Sequence, residues 1–248
     1  PILSSNPGTY MSSFNIEFNK EGICSGCVAY SNRSIVDWDE RKKKFIGILK
    51  KYKKKSKNYY NCIVPSSGGK DSHYQVIKML EFDMNPLVVN VIPDKLADIG
   101  RYNIENLKKL GVDTIEVSLN PNIRRKINKF ALETVGDISW PEHNTIFTVP
   151  ARFSVSLNIP LLIWGESAEN ENGGPLDTID RVELDRRWLE EFGGLLGLRT
   201  NDLEDILKIP KNKLIQYTYP SSAELRRVGT IGLFLGQFLP WDSHENAE

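Results

Sequence analysis

The run Ser66-Ser67-Gly68-Gly69-Lys70-Asp71-Ser72 concentrates the chemistry of this sequence. Two adjacent glycines let a backbone bend tightly, so that successive N–H groups point at one anion. A helix opening behind them adds its positive end. Ser67 and Ser72 bring hydroxyl donors, and Lys70 brings a point charge. These types at this spacing predict a phosphate cradle. It is not the Walker pattern, because Asp71 follows the lysine and the upstream glycine of that pattern is missing. Glu166, in Trp164-Gly165-Glu166, offers a carboxylate to a metal, a substrate or ammonia, or is a plain surface charge. Glu169 and Asn170 follow it in the same loop. His143, after Trp140-Pro141-Glu142, either reaches the site or serves structure. Cys24-x-x-Cys27 is half of a zinc site, since tetrahedral zinc takes four ligands; free thiols are the alternative. Cys62 sits in an apolar run and reads as core.

These residues need elements to hold them. Residues 59–65 read as a buried strand, residues 70–82 as the helix after the glycine turn, and residues 87–92 as a second strand. Residues 97–110 read as a helix stopped by Gly111, and residues 113–117 as a third strand. Residues 121–135 and 145–157 read as helices, residues 159–164 as a fourth strand, and residues 230–239 as a last one. Apolar strands alternating with helices predict an α/β fold: a doubly wound parallel sheet covered on both faces, with ligands at the carboxyl ends of its strands. Residues 166–200, rich in Gly, Glu and Asn, read as an insertion over that edge. Residues 1–36 read as a small irregular module bearing Cys24 and Cys27, and residues 37–248 as the main domain. Within it, residues 37–57 form an amphipathic helix with Phe45, Ile48, Leu49 and Tyr52 on one side and lysines elsewhere. That charge is either a solvated face or a contact for a polyanion or partner. Residues 241–248 read as the start of a helix capped by Asp242 or Ser243, so the chain is expected to continue.

Composition narrows the function. Hydrophobic residues make 40% of the 248 and charged residues 26%, which excludes wholesale disorder. Lys+Arg is 32 and Asp+Glu is 32, so a globally basic nucleic-acid binder is not expected. No apolar run approaches the roughly 20 residues of a membrane span. The opening residues show no secretory pattern, and three cysteines fit a reducing cytoplasm.

The Ser67–Ser72 string resembles the PP-loop of the ATP pyrophosphatases, which include GMP, NAD and asparagine synthetases and tRNA-thiolating enzymes. In them the loop grips the pyrophosphate of ATP, and AMP passes to a carbonyl-type oxygen. Four further strings narrow the likeness: residues 18–27 (FNKEGICSGC), residues 136–141 (GDISWP), residues 160–166 (PLLIWGE) with residues 169–174 (ENENGG), and residues 240–243 (PWDS). Together they look like the N-acetyl sugar amidotransferase family of surface-polysaccharide and flagellin-glycan biosynthesis, lipopolysaccharide and pseudaminic-acid amidation included. The likeness covers nearly the whole chain.

The resemblance implies a substrate, cofactors and roles. The substrate is an N-acetyl sugar on a nucleotide or lipid carrier, whose acetamido group becomes an acetamidino group. The cofactors are ATP and Mg2+. Ammonia comes from a separate glutaminase with a cyclase-like partner. Ser67, Gly68, Gly69, Lys70, Asp71 and Ser72 match the superfamily loop. Ser67, Gly69 and Ser72 then hold pyrophosphate while Lys70 neutralises it. Asp71 holds Mg2+, fixes the loop, or complements the helix dipole. Asn90, with Val89 and Val91 at the end of the second strand, lies where adenosine rests, and Gly165 joins the nucleotide site. The family usually carries another cysteine pair upstream of Cys24 and Cys27, which leaves zinc open for this chain. Two rivals stay open: a PP-loop tRNA-modifying enzyme, favoured by the lysine-rich helix, and a non-catalytic scaffold for a glutaminase.

Overall fold

The structure is a computed structural model that describes residues 18–32, 35–56, 59–92, 95–166, 183–184, 198–242 and 246. Its helices are α1 (Ser25–Asn32), α2 (Trp38–Lys55), α3 (Lys70–Glu81), α4 (Asp98–Lys108), α5 (Pro121–Val135), α6 (Trp140–Leu157), α7 (Thr200–Leu207) and α8 (Ser222–Val228). Five strands pair in parallel: β1 (Cys62–Ser66), β2 (Pro86–Ile92), β3 (Asp113–Ser118), β4 (Leu161–Trp164) and β6 (Ile231–Phe234). The two-residue β5 (Glu183–Leu184) adds antiparallel to β6, giving the order β3-β2-β1-β4-β6-β5.

Alternation along the strands makes both faces apolar, which is why helices cover both. Ile63 of β1 belongs to a core with Ile123 and Ile127 of α5 and Trp140 and Val149 of α6. Its neighbour Val64 belongs to the opposite core, with Phe45 and Leu49 of α2 and Val76 and Met79 of α3. The expected doubly wound α/β sheet is therefore present. From β1 the chain winds outward through β2 to β3, then returns to the far side of β1 with β4 and β6. The strand order reverses between β1 and β4, the point at which such sheets open a crevice at the carboxyl ends of their strands.

Among the departures from the sequence expectation, three have a packing reason. Strand β1 begins at Cys62 rather than residue 59, because the Tyr60 hydroxyl is held by Asp113 Oδ2 at 2.6 Å and the Asn61 side chain accepts from Asn85 N–H at 2.9 Å. Helix α6 begins at Trp140 rather than residue 145, since Pro141 falls in its first turn, where no amide partner is required. Strand β6 stops at Phe234, and Leu235–Gln237 form a 3-10 turn in which Gly236 N–H donates to the Gly165 carbonyl at 3.0 Å. The segment expected to be irregular around the cysteines carries α1. Of residues 166–200, only β5 and the flanking 166 and 198–200 are described; Glu169 and Asn170 lie outside the described residues.

Glu116 of β3 sits between Lys108 Nζ (2.8 Å) and Arg101 Nη1 (2.6 Å), and these cations hold its carboxyl below the usual carboxylate range. A group whose folded pKa is depressed stabilises the fold fully above its unfolded pKa and loses that contribution as pH falls through the folded value. Glu116→Gln is therefore expected to flatten the acid limb of stability against pH below the ordinary glutamate pKa. Urea midpoints across that range measure it, and an unchanged slope would refute the pairing.

Candidate functional site

Strand β1 ends at Ser66, three residues turn, and α3 starts at Lys70. Gly68 has φ +81°, and a Cβ built on it would stand 2.9 Å from Ile104 Cγ1 of α4. Backbone conformation and space both demand glycine there. Gly69, in extended conformation, is the N-cap of α3 and leaves the first turn without a side-chain cap. The amides of such a turn have no intrahelical acceptors and face outward with the positive end of the helix.

The serines serve the turn itself. Ser67 N–H donates to Ser72 Oγ (3.0 Å), Gly68 N–H to Ser66 Oγ (3.0 Å) and Gly69 N–H to Ser67 Oγ (3.4 Å). Ser67 Oγ and Ser72 Oγ are 3.4 Å apart. His73 Nδ1 pairs with the Gly69 carbonyl at 3.0 Å and steadies the end of the turn. Lys70 Nζ holds both carboxylate oxygens of Asp71, at 2.8 and 3.0 Å, and Asn246 Nδ2 donates to Asp71 Oδ1 at 3.2 Å.

Opposite the turn, β4 delivers Gly165 and Glu166. Between the two strand ends lies a cleft of about 280 Å³. Ser67, Asp71, Ser72, Gly165 and Glu166 line one part of it; Val89, Val91, Ile146, Phe147, Pro150 and Phe234 supply an apolar wall. Pro150 has no N–H, so helix geometry denies the Ile146 carbonyl its amide partner at that wall. Two buried polar atoms of the lining, Gln75 Oε1 and Trp164 Nε1, have no hydrogen-bond partner among the described residues. Buried polar groups are rarely left so. A half-polar, half-apolar cleft with unserved donors and acceptors fits a nucleotide, whose base is flat and whose tail is anionic.

Gly165 is the second tight glycine position of the site. A Cβ there would fall 2.5 Å from Gln75 Nε2 and 2.9 Å from Trp241 Cη2. Gly165→Ala is expected to lower stability by about 1–3 kcal/mol, typical of overpacking, and to weaken nucleotide binding as Gln75 is pushed aside. Denaturant midpoints and ATP titration check the two effects, and an unchanged midpoint would show that the contact relaxes freely.

Of the residues named from sequence, Ser67, Asp71, Ser72, Gly165 and Glu166 meet at the cleft, whereas Gly68, Gly69 and Lys70 belong to the turn but not to the cleft lining. Asn90 differs from its neighbours: Val89 and Val91 line the cleft, whereas Asn90, paired in register with Ser66, is buried, and its Nδ2 has no partner among the described residues. His143 lies on the first turn of α6, against Asp137 Oδ2 at 3.2 Å, and is absent from the cleft lining. Gln75, Trp164 and the α6 residues were not singled out from sequence. Gln75 was readable in principle, being one helical turn beyond Asp71 and Ser72. Ile146, Phe147 and Pro150 carry only the pattern of a packed helix.

The two carboxylates of the lining, Asp71 and Glu166, do not make a closed cation cage, and among the described residues no three His, Cys, Asp or Glu side chains could hold a metal ion. Mg2+ commonly takes one or two carboxylates together with phosphate oxygens, so this pair fits a nucleotide-borne Mg2+. Zinc is not supported. Cys24 and Cys27 are brought together, with Cys27 N–H donating to Cys24 Sγ at 3.4 Å, but they provide only two ligands. That amide, with the Cys27 thiol, lowers the Cys24 pKa. Cys62 is buried in β1, where desolvation pushes its thiol upward.

No protein-family profile and no curated protein matches this chain. Among solved structures, the NH3-dependent NAD synthetase of Campylobacter jejuni is 11% identical, with a TM-score of 0.42 over 78% of this chain and 93% of that one. A predicted subunit of tRNA methyltransferase from Methanocaldococcus jannaschii is 20% identical, with a TM-score of 0.35 over 67% and 74%. The NMN synthetase of Francisella tularensis is 14% identical, with a TM-score of 0.35 over 86% and 97%. At these scores the likenesses carry no weight for function.

Proposed function

We propose that the cleft binds ATP with its pyrophosphate on the turn after β1, and that the protein is an ATP-dependent, AMP-forming amidotransferase acting on an N-acetyl sugar. The observation that carries the ATP reading is the serine- and glycine-built turn at the sheet reversal, opening an uncapped helix beside a half-apolar cleft. The sugar reading is supported by the four strings that accompany the loop in the sequence.

The chemistry follows from the weakness of an amide as an electrophile. Its oxygen attacks the α-phosphorus of ATP, the α–β bond breaks, and pyrophosphate leaves. Ammonia then adds to the activated carbon, loses protons to solvent or a base, and expels AMP, leaving an acetamidino group. The chain's own part is positioning and charge neutralisation. Ser67 and Ser72 exchange their mutual bonds for phosphate oxygens, and Lys70 releases Asp71 to meet the departing pyrophosphate. Mg2+, when bound, would be held by Asp71 and Glu166 and would neutralise phosphate charge. Glu166, on the cleft lining, also serves in this reading as the base for ammonia. Ammonia is supplied by a separate glutaminase-type partner.

The deciding experiment supplies ATP, ammonium salt and a panel of nucleotide-linked N-acetyl sugars. Expected are AMP and pyrophosphate in step with sugar, and a product in which mass spectrometry finds NH in place of oxygen. ATP binding without any sugar-dependent turnover would leave the nucleotide site and remove the sugar reading. Glu166→Gln is expected to lower kcat about 10²-fold, a larger loss than the one in ATP affinity. Equal loss in both would make it a nucleotide ligand, and no loss a surface charge.

A further inference from the structure

Helix α2 packs Phe45, Leu49 and Tyr52 into the core and turns its lysines outward. Eight of them are exposed. Lys53 pairs with Asp83, and Lys51 and Lys55 lie near the Tyr52 ring. Lys42, Lys43, Lys44, Lys50 and Lys54 have no carboxylate partner among the described residues. Lys43, Lys50 and Lys54 fall on one line along the helix, and Gly47 on the same line opens onto free space. Lys50 with Lys54, and Lys51 with Lys55, are like-charge pairs at a spacing that destabilises a helix. Such a face is relieved by an anionic partner.

The charge is also distributed unevenly along the sequence. Residues 41–57 hold ten of the 32 basic residues and no acidic one, while the net charge is zero, so the remainder is net acidic. A negative plane attracts this face, which favours an approach with α2 toward it.

We propose that the lysine face of α2 docks the protein on an anionic phospholipid surface. Clusters of four to eight basic residues bind such surfaces electrostatically. Nine of the ten cations are lysines, hydrated point charges suited to diffuse headgroups rather than to the forked contacts of nucleic-acid readers. Phe45 and Tyr52, the rings within the lysine run, are buried and closed to base stacking. Ile35, 80% exposed, stands just ahead of α2 and is suited to shallow insertion between headgroups. None of these residues lines the cleft, so the inference stands apart from the catalytic reading.

Co-sedimentation of the full chain with vesicles tests it. Phosphatidylcholine vesicles containing phosphatidylglycerol are expected to hold the protein at least about 10-fold more than phosphatidylcholine alone, with release as salt is raised. The triple substitution Lys43→Glu, Lys50→Glu, Lys54→Glu is expected to abolish that preference with an unchanged melting curve and unchanged ATP binding. If charge reversal unfolds the chain, Lys43→Gln, Lys50→Gln, Lys54→Gln replaces it, with the same loss expected. Equal retention on neutral vesicles, wild-type binding by the folded variant, or tighter binding to an oligoribonucleotide than to the anionic vesicles at matched salt would each overturn the proposal.

Discussion

Lys70→Ala is expected to cut pyrophosphate release by about 10²- to 10³-fold while leaving the unfolding midpoint within error, the pattern of a lost preorganised charge. The side chain is 40% exposed and its ion-pair partner is the adjacent Asp71, so removing it opens no cavity. Nothing else among the described groups of the turn is cationic: the three amides 67–69 and the hydroxyls around them are neutral donors. On the proposed reading, charge accumulating on a departing pyrophosphate meets one cation of the turn, Lys70, which leaves Asp71 to reach it. Lys70→Arg keeps charge but not the compact ammonium and should fall between the two. Pyrophosphate release assayed beside thermal melting checks both halves. Full activity in the alanine variant would remove the loop from the chemistry.

Phe45→Ala is the largest stability loss expected, about 3–5 kcal/mol, because a fully buried ring leaves a cavity that a sheet cannot collapse to fill. Phe45 stacks on Phe238, with centroids 4.9 Å apart, and meets the edge of Phe82 at 5.6 Å. It thereby fastens α2 to α3 and to the segment following β6. Urea denaturation gives the free energy directly. A loss below about 1 kcal/mol would mean that α2 is not docked on the sheet. The same variant should retain the lysines of α2 yet present them on a less firmly held helix.

Much of this architecture was legible because α/β folds announce themselves by period. The apolar run at residues 87–92 and the Gly111 stop left few alternatives for the second strand and the helix after it. The turn at Gly68 was legible for a local reason, since only glycine tolerates its φ, and the loop's place followed once β1 preceded it. Less legible was everything that depends on which strand neighbours which. Trp164 and Gln75 become cleft residues only when β4 lies beside β1, a contact between positions nearly a hundred residues apart. Asn90 shows the opposite limit: strand-end position was right, but alternation turns adjacent side chains to opposite faces, and Val89 and Val91 took the cleft side. The break of β6 into a 3-10 turn was hidden because Leu235, Phe238 and Leu239 look equally apolar in either conformation.

The hydroxyls of Ser66, Ser67 and Ser72 occupy the very amides that a guest would claim. A hollow built this way has no orphaned donors at those amides, so its shape does not depend on a guest. Entry then becomes a swap, in which several acceptor oxygens must arrive together to match the ones displaced. A tetrahedral polyoxyanion brings enough of them; a lone carboxylate or chloride does not. On the proposed reading, selectivity against carboxylates and halides is written into the hydroxyl pattern, before any contact with a nucleobase is made.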